Sequence, residues 1–102
     1  MQIIVTERAK LDLKKLYKFY QKAYGKNTAN KIRLSILNTS KSLIHFPEKG
    51  QVEPLLDSIT PKHRYILDKH CKIIYFVEND TIYISDFFDS RQSPSKVINR
   101  EG

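Results

Sequence analysis

Apolar and polar residues alternate most clearly in two runs towards the carboxyl end of the chain. Residues 71–78 and 81–88 are rich in β-branched and aromatic side chains, which suit a pleated, half-buried surface. Asn79 and Asp80 separate the two runs, and both residue types tolerate the positive φ angles that a two-residue hairpin turn requires. The pattern therefore predicts a β-hairpin over residues 71–88.

A two-residue turn fixes the strand register, so the pattern also predicts which side chains share a face. Pairing outward from the turn puts a nearly apolar set on the face that we expect to receive helices: Cys71, Ile73, Tyr75, Val77, Ile82, Ile84, Asp86 and Phe88. The opposite face is mixed: His70, Lys72, Ile74, Phe76, Tyr83, Ser85, Phe87 and Asp89. Lys72, His70 and Asp89, with Arg91 just beyond, are thus predicted to share one corner of the sheet. Asp86 fits the apolar face badly, because an unpaired buried carboxylate is costly.

Helical periodicity runs through the first half of the chain. Over residues 7–24, apolar residues recur at spacings of three and four, after an N-cap at Thr6 and before a helix end at Gly25. A second helix is predicted over about residues 29–45, with Asn27 or Thr28 as its cap. The short link between the helices favours an antiparallel pair.

The remaining elements are short. Gln2–Val5 and residues 63–68 are β-prone runs and predict two further strands. Residues 46–61 hold three of the four prolines and are predicted to be a surface connection. The whole chain, residues 1–102, therefore predicts a single α+β domain: an N-terminal strand, an antiparallel helical hairpin, then a three-stranded antiparallel meander, with the helices packed on one face of the sheet. The other face is expected to be partly open to a partner.

Composition narrows the class of protein. A formal net charge of +7 on 102 residues favours a polyanionic partner such as a nucleic acid or an acidic protein. Apolar runs fall far short of the ~20 residues of a membrane-spanning helix, no signal peptide is visible, and one cysteine fits a reducing cytoplasm. Lysines recur every fourth residue at Lys10, Lys14, Lys18 and Lys22, a row that we interpret as a solvated helix surface rather than a phosphate-binding face. The dispersed histidines lack ligand spacing, so no metal or other cofactor is expected.

The chain resembles the RelE/ParE superfamily of toxins from bacterial type II toxin–antitoxin modules over nearly its whole length. The resemblance rests on the element order, on residues 46–50 (FPEKG), on Arg64 followed by residues 72–77 (KIIYFV), and on residues 82–94 (IYISDFFDSRQSP). It implies a growth-inhibiting toxin that a co-expressed antitoxin neutralises in a hetero-oligomer. The ending of residues 89–94 is more similar to the ParE-like branch, whose members act on DNA gyrase, than to the RelE-like branch, whose members cleave mRNA in the ribosome.

Three functions remain open from the sequence. The first is a ParE-like inhibitor of gyrase, and the second is a ribosome-dependent endoribonuclease. The third is a non-toxic basic module that binds nucleic acid. A ribonuclease needs a proton acceptor, cations for the developing phosphorane charge and an acid. Its candidate catalytic residues are Arg64, His70, Lys72 and Arg91. The candidate partner-binding residues are Lys72, Tyr83, Phe87, Asp89 and Arg91.

Overall fold

Two helices pack on one face of a five-stranded sheet. The structure is a computed structural model that describes residues 1–56, 58 and 61–89. Its elements are β1 (Gln2–Val5), α1 (Glu7–Tyr24), α2 (Lys26–Lys41), β2 (Gln51–Val52), β3 (Arg64–Asp68), β4 (Cys71–Glu78) and β5 (Thr81–Asp89), with 3₁₀ turns at Ser42–Ile44 and Pro54–Leu56. The predicted α+β layer of helices on a mostly antiparallel sheet is confirmed.

The strands lie in the order β1-β5-β4-β3-β2. β1 pairs in parallel with β5, whereas the other pairs are antiparallel. Asn79 and Asp80 have φ angles of 53° and 59°, which confirms the predicted left-handed turn between β4 and β5. The sequence interpretation missed β2, because two residues carry no detectable alternation.

The first helix has the predicted limits. The Thr6 hydroxyl accepts the N–H of Ala9 at 3.2 Å and so caps α1. Gly25, with φ of 90°, ends α1 and also serves as the N-cap of α2. The second helix therefore begins at Lys26, and the predicted caps at Asn27 and Thr28 are wrong. No helix in the described part of the chain has the length and apolar character needed to cross a bilayer.

The main core lies between the helices and one face of the sheet. Both helices contribute small and large apolar side chains to it, and the three central sheet positions Ile73, Tyr75 and Ile84 are fully buried. The buried members of this cluster are Ala9, Leu16, Tyr20, Ala29, Ile36, Leu43, Cys71, Ile73, Tyr75, Ile82, Ile84 and Phe87. Ala23, near the end of α1, is exposed although it is apolar.

A β-bulge at Ser85 changes the register of the hairpin. Pairing follows the prediction from the turn as far as Tyr75 and Ile84, and then Ile74 pairs with Asp86. The Ser85 hydroxyl lies 3.3 Å from the Ile74 carbonyl oxygen and 2.9 Å from Asp86 Oδ2. An extra residue in one strand reverses the facing of every side chain beyond it.

The predicted faces are consequently wrong for the last part of β5. Phe87 and Asp89 lie on the helix-covered face, in register with Ile73 and Cys71. Asp86 and Phe88 lie on the opposite face, in register with Ile74 and Lys72. This opposite face is partly covered: Leu56, Ile74 and Phe88 form a second buried cluster beside Tyr65.

Gly50 is predicted to be intolerant of a side chain. A β-carbon at this position would lie 2.6 Å from the Tyr75 hydroxyl oxygen and 2.8 Å from the Tyr65 carbonyl oxygen. We expect Gly50→Ala to lower the free energy of unfolding by about 1–3 kcal/mol, the range for overpacked sites. Denaturant unfolding measures this loss. Glu48→Ala, in the same loop but exposed, is the control, and equal stabilities of the two variants would contradict the prediction.

Cys71 is predicted to make stability depend on pH in the alkaline range. Burial raises the pKa of its thiol from 9.0 to about 12, so the folded state keeps a proton that the unfolded state releases. The resulting stabilisation is complete below pH 9 and is lost as the pH rises towards the folded pKa. We expect the free energy of unfolding of the wild type, relative to Cys71→Ala, to fall by about 1.4 kcal/mol per pH unit above pH 9. Parallel pH profiles for the two proteins would refute this.

Candidate partner-binding surface

We call the sheet face that points away from the helices the second face. Its open part carries a row of apolar and aromatic side chains. Ile4 pairs with Tyr83, and Tyr83 pairs with Phe76. The rings of Phe76 and Tyr83 stack with centroids 5.0 Å apart, and His63 packs on Phe76 at 4.9 Å. Ile4, Tyr83, Phe76 and His63 form what we call the aromatic row. Ile4 is 41% exposed at the sheet edge, and the two stacked rings are half-buried, so this row leaves apolar surface accessible.

His63 is fixed at the inner end of the aromatic row. It is 3% exposed, and its Nδ1 donates a hydrogen bond to the Pro61 carbonyl oxygen at 2.8 Å. The acceptor therefore sets the tautomer, and the ring serves as a packing residue under Phe76.

Lys72 lies at the other end of the same face, in an ion pair whose acidic partner is buried. Its Nζ is 2.8 Å from Glu53 Oε2 and 4.4 Å from the centre of the Tyr65 ring. The Glu53 side chain is fully buried, and its Oε1 also accepts the Leu55 N–H at 3.1 Å. A charge-assisted hydrogen bond and a cation–π contact thus hold the ammonium group of this partly exposed side chain in place.

Arg64 has a similar internal role. Its Nη1 donates to the Gly50 carbonyl oxygen at 3.0 Å, while the Gly50 N–H donates to the Tyr75 hydroxyl at 3.0 Å. Burial raises the pKa of Tyr75, and the nearby Arg64 charge acts against that rise. Arg64 and Tyr75 together fasten the loop before β2 to the sheet.

The residues predicted to share a corner lie in separate places. Lys72 is on the second face, whereas Asp89 is 3% exposed on the helix-covered face. His70 is exposed in the turn between β3 and β4, and Arg91 lies outside the described residues. Phe87 is 2% exposed and belongs to the main core. The predicted corner is therefore not formed by the described candidates, because the bulge at Ser85 turns Asp89 away from Lys72. Among the described candidates, Tyr83 and Lys72 share the second face.

The geometry favours binding over acid–base chemistry in the described residues. An RNA phosphate at Lys72 would compete with the Glu53 carboxylate, and one at Arg64 with the Gly50 carbonyl group. Each cation already donates to an internal acceptor, Glu53 for Lys72 and Gly50 for Arg64, and moving it to a phosphate would leave that acceptor without its partner.

A second accessible surface lies at the hairpin-turn end of the molecule. The loop of residues 45–49, Met1 and Val77 surround a groove of about 460 Å³. Phe46 in this loop is 67% exposed and Met1 is 45% exposed. An open groove with exposed apolar side chains suits a segment of another protein better than it suits a small polar ligand.

Sequence reasoning missed Glu53 and His63 as buried residues of this face. Both lie in or beside the proline-rich connection that was interpreted as surface, and the backbone N–H of Glu53 donates to the His63 carbonyl oxygen at 2.9 Å. Glu53 and His63 are buried by contacts with residues far away in the sequence, so no local pattern predicts their burial.

The Lys72–Glu53 pair yields a stability prediction. We expect Lys72→Met to lower the free energy of unfolding by about 3–5 kcal/mol, because it leaves the buried Glu53 carboxylate without its cation. The double variant Lys72→Met/Glu53→Gln should recover most of that loss, since the amide is neutral and keeps an acceptor for the Leu55 N–H. Urea unfolding of the two variants tests this coupling, and a double variant no more stable than Lys72→Met would contradict it.

Comparison with known proteins agrees with this architecture. The family model described as "ParE toxin of type II toxin-antitoxin system, parDE" matches residues 3–94. A solved structure described as "Chromosomal ParDE TA system from P. aeruginosa" is similar in fold, with a TM-score of 0.74 and 23% identity over 87% of this chain and 95% of that one. No protein of curated function matches the sequence. Because the family model spans nearly the whole chain, this protein belongs to the ParE toxin family of type II toxin–antitoxin systems.

Proposed function

We propose that this protein inhibits bacterial growth by binding DNA gyrase in the cytoplasm. Family membership supports the toxin role. The observation that supports the binding mechanism is that Lys72 and Arg64 each donate to an internal acceptor, Glu53 at 2.8 Å and the Gly50 carbonyl oxygen at 3.0 Å. A ribonuclease would need such cations free for phosphate, whereas an inhibitor that acts by docking needs only an accessible surface.

A cognate antitoxin is the second partner in this proposal. The similar structure from P. aeruginosa belongs to a toxin–antitoxin system, and the family model names the same kind of module. The aromatic row and the groove beside Phe46 are the two surfaces that we assign to partners. Together they would accept an extended segment that runs from the hairpin-turn end of the sheet across its open face, in a toxin–antitoxin hetero-oligomer.

Growth inhibition through gyrase is tested by inducing the protein without an antitoxin. We expect arrested growth, altered plasmid supercoiling and an intact reporter mRNA, because a docked inhibitor perturbs the topoisomerase and leaves RNA unbroken. Growth curves, plasmid topoisomer gels and primer extension on the reporter measure the three quantities. Phased cuts in the mRNA would overturn the proposal in favour of a ribosome-dependent endoribonuclease. Normal growth at full expression would leave a non-toxic nucleic-acid-binding module.

The aromatic row is tested by a pair of variants on β1. Ile4 and Gln2 lie on the same face of this strand, beside Tyr83 and Thr81 respectively. Ile4→Glu puts a charge into the apolar row, and burying an unpaired charge against a partner costs about 2 kcal/mol or more, a roughly 30-fold loss of affinity. We expect Ile4→Glu to relieve growth arrest at matched levels of folded protein. Gln2→Glu adds the same charge outside the row and should stay toxic. If both variants inhibit growth equally, the row does not contact the target.

A further inference from the structure

The net positive charge of this protein lies in its helical layer. The segment Glu7–Lys41 holds ten of the 18 basic residues and two of the 11 acidic residues. Its formal charge is therefore +8, whereas all other residues together sum to −1. A potential of one sign over one face steers ions of the other sign to that face.

This positive charge lies on the outer surface of the layer. Nine of the ten basic side chains are exposed, and Arg33 is half-buried over the Tyr17 ring. Of the two acidic residues, Asp12 is buried against the sheet, where it accepts the Phe87 N–H, and Glu7 pairs with Lys10 at 3.3 Å.

The lysine row has the dimensions of a stretch of nucleic-acid backbone. Lys10, Lys14, Lys18 and Lys22 are spaced four residues apart on α1, which is about 6 Å between neighbours and about 18 Å in all. One strand of duplex DNA presents a phosphate every 3.4 Å of rise, so this length faces about five phosphates. Lys15 extends the row sideways on the same exposed surface.

The residue types point to phosphate rather than to bases or to a protein. Eight of the ten cations are lysines, which bind phosphate as point charges and do not offer the planar fork that reads a guanine edge. Protein–protein interfaces are depleted in lysine and enriched in aromatic residues and arginine. Four large apolar side chains of the helical layer are also exposed, Leu11, Phe19, Tyr24 and Leu34. The eight lysines outnumber them two to one, and scattered apolar residues are common on protein surfaces.

We infer that the outer face of the helical layer binds the sugar–phosphate backbone of duplex DNA without sequence preference. The sequence alone favoured a solvated surface for the lysine row. The structure favours the phosphate-binding interpretation instead. The lysine row and the cations of α2 lie in one layer, and Asp12 is buried beneath that layer. This face lies on the opposite side of the sheet from the aromatic row, so DNA and a protein partner on the aromatic row would occupy separate surfaces. The inference stands on the charge distribution and not on which target the toxin inhibits.

Two triple variants with equal net charge test this inference on the purified full chain. The helical triple carries Lys14→Gln, Lys18→Gln and Lys22→Gln, which removes three charges from the helical layer. The control triple carries Lys49→Gln, Lys62→Gln and Lys69→Gln, which removes three exposed charges from outside that layer. Fluorescence anisotropy follows binding to a labelled mixed-sequence duplex of about 20 base pairs, from about 50 to 200 mM salt. Circular dichroism shows that each variant is folded before it is used.

We expect the wild type to bind with a log–log salt slope of about −3 or steeper, because four lysine contacts release about 0.9 counterion each. The helical triple should bind roughly tenfold or more weakly at low salt, with a slope that is flatter by about 2 to 3. The control triple should keep most of the affinity and the slope. A second duplex of unrelated sequence should bind equally well.

Three results would overturn the inference. Equal weakening of both triples would show that net charge, and not the helical layer, governs binding. Absence of wild-type binding at low salt would exclude a DNA surface. Equal affinity for polyglutamate of matched charge would assign the face to acidic protein segments instead. Each of these is read on purified protein, so it is distinguishable from a failure of the growth and supercoiling assays.

Discussion

The hydrogen bond from the Phe87 N–H to Asp12 Oδ2, 3.2 Å long, joins α1 to β5 at the point where the strand changes register. The bulge at Ser85 removes one residue from the ladder, and a displaced amide that stayed unpaired and buried would cost about 1–3 kcal/mol. Asp12 supplies the acceptor from the helix, and the Thr6 hydroxyl approaches the Ser85 carbonyl oxygen at 3.4 Å. The irregularity in the sheet is therefore matched by polar groups at the start of α1.

The bulge decides on which face of the sheet each side chain after Ser85 lies. With the bulge, Phe87 packs among helix side chains, and Phe88 covers the opposite face next to Leu56. Without it, Asp86 would be pressed into the main core and Phe87 would lie outside. The fold thus uses one extra residue to place two consecutive phenylalanines in two different clusters, and this arrangement stabilises both sides of β5.

Local chemistry predicts much of this fold from the sequence. The Asn79–Asp80 turn, the Thr6 cap and the apolar stripe of α1 each depend on residues within a few positions of one another. The bulge, β2 and the buried pair of Glu53 with Lys72 depend on contacts across 11 to 75 positions, for which a single sequence carries no period. Asp86 was the one sign of the bulge in the sequence, because a carboxylate on an apolar face indicates that the assumed strand register is wrong. The candidate site was accordingly predicted less well than the fold: Tyr83 and Lys72 lie on the second face, but Asp89 and Phe87 do not.

The two proposals assign different tasks to the two layers of the fold. The sheet half is close to neutral and offers aromatic surface, which suits specific docking because apolar contact depends on shape. The helical half carries the charge, which acts over about 8–10 Å and needs no fitted surface. Lys72 on the second face adds little to the positive potential of the sheet half. Its charge is neutralised by Glu53, and the Tyr65 ring covers it on one side. The positive potential is thereby concentrated on the helical side, away from the aromatic row that we propose as a docking surface.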